Sequence, residues 1–186
     1  MRFAFAAASV LTLACCKPPA TDDYVARVGL DKRQGPGEPI DSPDTEGAVW
    51  APSREEGRII YGIPGDKPLM TLACETGGPA PVIRYTRNAP ADPEAQAVLA
   101  LIGNGHVARL WIDAEEAGTS WRWVGKVPAD DPRLEALTGG RQIEATVPGA
   151  GSLILNPSRL PGELVGSCRQ RSRPQTDEEA TPVAPE

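Results

Sequence analysis

Between residues 58 and 156 the chain is written as short alternating runs cut by turn residues, and this punctuation limits the possible folds more than any other feature. Arg58-Ile59-Ile60-Tyr61-Gly62 ends at the turn Pro64-Gly65-Asp66, and the apolar run Leu69 to Cys74 follows. Val82 to Arg87 sets Ile83 and Tyr85 on one face and Arg84 and Thr86 on the other, the period of a half-buried antiparallel strand. Ala97 to Ile102 and His106 to Asp113 flank Gly103-Asn104-Gly105, and Asn-Gly between apolar runs signals a hairpin. A helix capped at Asp92-Pro93-Glu94 and running to Leu101 is the alternative. Ser120 to Lys126, Gln142 to Val147 and Ser152 to Asn156 alternate in the same way.

Two segments break the pattern. Asp131 to Leu137 reads as a short helix stopped by Gly139-Gly140, and Leu160 to Cys168 reads as a second, with Pro161 in its first turn. Strands and helices do not alternate as a parallel sheet requires. The expected class is mainly β, an antiparallel sandwich or small barrel with about seven strands and two short helices.

The N-terminus is of another kind. Met1-Arg2 carries a positive charge, and Phe3 to Ala14 is an apolar, Ala-rich run too short to span a bilayer. Its end, Leu11-Thr12-Leu13-Ala14-Cys15, resembles the lipobox of bacterial lipoproteins, with Thr12 where that family prefers an aliphatic residue. The resemblance implies cleavage before Cys15 and lipidation of Cys15, with Cys16 as the weaker alternative acceptor. It also implies a protein of the cell envelope, attached to the membrane through its lipid. Cys16 rather than Asp at the second mature position favours the outer membrane, on its periplasmic side. An uncleaved anchor or ordinary secretion is the other reading.

The expected organisation is a signal peptide over 1–14, a lipidated N-terminus and Pro/Gly/Asp-rich spacer over 15–48, one β-rich domain over 49–170 and a polar tail over 171–186. Only Cys74 and Cys168 lie inside that domain. In an exported protein such a pair most economically forms one disulfide, stabilising by roughly 4 kcal/mol. Two buried free thiols are the alternative.

Candidates for chemistry are few. The net charge of −6 and the scattered Lys and Arg argue against nucleic acid as a partner. His106 is the sole histidine, and none of the many serines sits in a recognisable nucleophile motif, so it reads as a surface residue beside a turn. One histidine and two bonded cysteines make no zinc set, and no metal or cofactor is expected. Asp113, Glu115 and Glu116, or Asp130-Asp131, lack the spacing of a calcium loop and read as solvated acids. Gly149-Ala150-Gly151-Ser152 lacks the lysine of a phosphate loop and reads as a turn.

Trp121 and Trp123 share a strand face and either fill the core or form a stacking platform for a glycan or peptide. The function expected is a non-catalytic binding or structural domain whose partner is an envelope protein or a glycan. Small disulfide-bearing β lipoproteins that inhibit lysozyme are similar in size and anchoring, which makes inhibition of a cell-wall hydrolase the second reading. Their Ser-Gly-containing loop has no match here. An enzyme using His106 is the third.

Overall fold

The computed structural model describes residues 37–171, in which nine strands build one sheet. They are β1 (Val49–Pro52), β2 (Arg58–Gly62), β3 (Met70–Glu75), β4 (Val82–Pro90), β5 (Gln96–Gly103), β6 (His106–Ala117), β7 (Ser120–Pro128), β8 (Ile143–Thr146) and β9 (Ser152–Leu155). All neighbours are antiparallel, in the order β1-β2-β3-β4-β7-β6-β5-β8-β9. The meander β5-β6-β7 folds back so that β7 lies against β4, the Greek-key arrangement. The expected antiparallel class is therefore found, as a nearly closed barrel. Nine strands stand where about seven are expected, the surplus coming from short ones such as the four-residue edge strand β1.

The hairpin between β5 and β6 forms in preference to the helix. Asn104 and Gly105 both take positive φ, 52° and 82°, as a two-residue turn matched to strand twist requires. The Asn104 side chain also donates to the Ala136 carbonyl and accepts from the Arg141 amide, so it clips the turn to the helical segment. That segment is a 3₁₀ turn, Pro132–Leu134, leading into α1 (Glu135–Thr138); α2 (Leu160–Gln170) follows β9. Asp131 caps the 3₁₀ turn by accepting from the Arg133 amide.

Alternation decides the core. Leu72, Ile83, Leu99, Leu101, Leu110 and Ile112 point inward and are fully buried, each contributing about 1.5–3 kcal/mol by leaving water. Leu134 and Leu137 add to this core from the helical segment, and Leu164 and Val165 from α2. The helix α2 packs on β1 to β4, and α1 on β5 and β6. Cys168 of α2 is bonded to Cys74 at the end of β3, as expected, across a sequence separation of 94.

Side chains, not a backbone ladder, close the gap between the sheet's two ends. Tyr61 on β2 donates its hydroxyl to the Ile154 carbonyl of β9 at 2.7 Å and accepts from the Asn156 amide at 3.1 Å. The Asn156 side chain donates to the carbonyls of Thr45 and Ala48, just before β1. Elsewhere Tyr85 crosses the barrel wall. Its hydroxyl donates to the Trp111 carbonyl, and its ring lies over Gly125, where any Cβ would collide with it. Burial pushes the Tyr85 phenol up to about 12.

One boundary differs from expectation. The spacer expected over 15–48 belongs to the body from residue 37 onward. The Ile40 amide donates to Gly149, the Ser42 hydroxyl accepts from the Ser152 amide, the Gly37 amide donates to Asp92, and Ala48 is buried. Polar side chains and backbone groups, not apolar periodicity, dock this strap, so its composition still resembles a linker. The helix α2 stops at Gln170, the expected domain end. Most of the expected tail, from residue 172, lies outside the described residues.

Candidate functional site

The sequence-predicted site residues scatter. Cys15 and Cys16 lie outside the described residues. Trp123 is buried in the core and donates its indole N–H to the Pro90 carbonyl, while Trp121 is half-buried. The two therefore make no stacking platform. β7 directs Trp123 into the barrel, where its large apolar area is better placed than in water. His106 is exposed beside the Asn104-Gly105 turn and makes no side-chain hydrogen bond among the described residues. Glu115 is paired with Arg84, and Asp131 with Arg133. No group of three or more metal-ligating side chains gathers among the described residues.

What the fold does bring together is a polar cleft of about 180 Å³ on the outer wall of β2, β3, β4 and β7. Register explains it. Arg58, Ala73, Arg84 and Lys126 are direct neighbours across four strands. The next row carries Thr71, Thr86 and Val124. Ala73, Thr86 and Val124 are buried, yet Ala73 and Val124 lie outside the main core cluster. They form a floor beneath longer polar side chains, whose aliphatic stems cover it. Thr71 and Asn88 are bonded to each other beside it, and Arg122 stands on the rim.

Cations side by side on neighbouring strands repel, and acids are set among them. Glu75 takes Lys126 at 2.7 Å and Arg84 at 3.6 Å, and Glu115 takes Arg84 at 2.6 Å. The hydrogen bond from Lys126, aided by Arg84, holds the Glu75 carboxyl below the usual carboxylate range. Arg58 is paired with Glu55 through one guanidinium nitrogen, while its buried Nε has no partner among the described residues. Arg122 has no ion pair or side-chain hydrogen bond among the described residues.

A second surface lies along the same wall. Trp111 is 72% exposed on β6, with Val107 at 62% on β6 and Ile102 at 51% on β5. Ile102 is the direct cross-strand partner of Val107, and Trp111 lies on the same outer face of β6 beyond the exposed Arg109, so the three line one apolar stripe that Arg109 interrupts. Sorting His106 to Asp113 by face would have found it. Ala108, Leu110 and Ile112 take the inner face, which leaves Val107 and Trp111 outside.

Two other features contrast with the cleft. A recess of about 780 Å³ is an open shelf between Thr138 and the start of α2, with Arg159 and Glu163 on its edge. Arg87 is a buried cation of β4 inside the wall, donating to the carbonyls of Leu69 and Ala150, with its Nε unpartnered among the described residues. Burial alone pulls its guanidinium down to about 10. It ties the β8–β9 turn to β3 and β4.

No protein-family model matches the chain, and no curated protein or solved structure is significantly similar to it.

Proposed function

We propose that the chain is a lipid-anchored cell-envelope protein whose barrel is a binding module rather than an enzyme, with an envelope protein or a glycan as partner. The lipobox-like end at Cys15 supports the anchor and the outer-membrane, periplasm-facing location. The observation that carries the binding role is the exposed Trp111 stripe. A tryptophan left 72% in water leaves uncovered the apolar area that Trp123 buries, and such exposed apolar area marks partner surfaces. The stripe stands on paired strands, so it is presented rigidly and loses little conformational entropy on contact.

The experiment is in-cell photocrosslinking of the full chain from position 111, with position 154 on β9 as the control, after confirming acylation by fatty-acid labelling of wild type against Cys15→Ser. One recurrent adduct from position 111 alone supports the reading. Equal crosslinking from both positions, or turnover of an envelope substrate that His106→Ala abolishes, refutes it.

A further inference from the structure

We infer that the outer-wall cleft is a carboxylate-binding site, and that Arg58, Arg84 and Arg122 grip the carboxylate of one residue of a larger ligand. This goes beyond the function proposed above and holds whether or not the chain is lipid-anchored.

Arg84 and Lys126 face each other directly across β4 and β7, and Arg58 stands two strands away with only Ala73 between. Like charges in one cross-strand row destabilise a sheet. The small Ala73 removes the side chain that would fill the space between Arg58 and Arg84 and leaves a notch there. The resident acids offset the repulsion only in part. Counting the cleft and its ion-pair partners, four cations (Arg58, Arg84, Arg122, Lys126) face three acids (Glu55, Glu75, Glu115). One positive charge is left over, in a chain whose net charge is −6.

The unused donors agree with that count. Arg122 faces Glu115 directly across β6 and β7, yet Glu115 is taken by Arg84 and Arg122 makes no ion pair or side-chain hydrogen bond among the described residues, and the buried Arg58 Nε points at no acceptor among them. Guanidinium groups match a carboxylate through paired N–H donors. A surplus of one charge is balanced by a monoanion, whereas a doubly charged phosphate would leave the cleft negative.

Size fixes the rest. A volume of about 180 Å³ falls below the ~300–1,000 Å³ of pockets that enclose a whole small molecule. The cleft therefore seats one group and leaves the remainder of its ligand outside. Thr71 and Asn88 beside the floor supply neutral donors and acceptors for the atoms next to the carboxylate.

The test is an amide chemical-shift titration of the full chain at constant ionic strength. N-acetylglycine is the probe, N-acetylglycinamide its uncharged twin, and inorganic phosphate the competing oxyanion. The expected result is saturable shifts at Ala73, Thr86 and Arg122, with Ile143 to Thr146 as the unshifted reference, for the carboxylate alone. Arg122→Gln, which keeps most of the aliphatic stem and removes no ion pair or side-chain hydrogen bond seen among the described residues, should weaken the carboxylate about tenfold and leave the spectrum otherwise unchanged. Equal shifts with the amide, tighter binding of phosphate, non-saturating shifts that chloride reproduces, or undiminished affinity in Arg122→Gln would each overturn the assignment.

Discussion

Cutting the Cys74–Cys168 bond should cost this barrel about 4.7 kcal/mol at 25 °C, the loop-closure entropy for a separation of 94 residues. The size follows from where the bond lies. It joins the third strand to the last helix, so it constrains most of the domain in the unfolded state, and closure entropy grows with loop length. For the roughly 135 described residues, an unfolding entropy of about 2.1 cal/mol/K per residue turns that loss into a Tm drop near 16 °C. The comparison is urea unfolding of the wild type against the Cys74→Ala/Cys168→Ala double variant. The slope with urea carries separate information. If the bond acts on the unfolded chain, its removal lets that chain expand, and the slope rises as stability falls. A loss below about 1.5 kcal/mol, or a full loss with an unchanged slope, would refute the entropic reasoning.

Further outcomes follow from single contacts. Tyr61→Phe should cost about 1–3 kcal/mol in urea melts, because the Ile154 carbonyl and the Asn156 amide lose their shared partner. Amide exchange should speed most in β9, whose outer edge that hydroxyl holds. Gly125→Ala should leave little soluble folded protein, since the new methyl overlaps both the Tyr85 ring and the Trp111 carbonyl; a Tm within a few degrees of wild type would show that the wall yields. Glu75, Asp131 and Glu135 are all held below the usual carboxylate range by cationic or hydroxyl partners. Their unfolded forms take up protons first, so this stability is present above the usual carboxylate range and is lost as pH falls through the folded values. Acid titration of Tm should show that loss, and Glu75→Gln should reduce it.

The sequence made the β class, the Asn104-Gly105 hairpin and the disulfide partners legible because each rests on local chemistry. Alternation marks a strand wherever it occurs, and two cysteines have one pairing. The cleft was not legible. Arg58, Ala73, Arg84 and Lys126 come from four separate runs, and only strand order and register make them neighbours. Trp121 and Trp123 share one strand face, but sharing a face says nothing about which face is wet. Trp111 carried the better signal and sat in a run already read as a strand. The strap over 37–48 is not legible because backbone and polar hydrogen bonds dock it, and these leave no hydrophobic period.

The same covalent bond also divides the barrel mechanically. A pull on residue 37 meets the strap, then β1, which is laddered along one edge only, and then β2 and β3. These segments yield like a zipper, one rung after another, until Cys74, where the load passes through a covalent bond into α2. Arg58, Thr71 and Ala73 lie on the part that peels, and Arg84 and Arg122 lie within the covalently closed block. Tension on the N-terminal side would therefore tear the cleft in two, while β4 to α2 stayed folded.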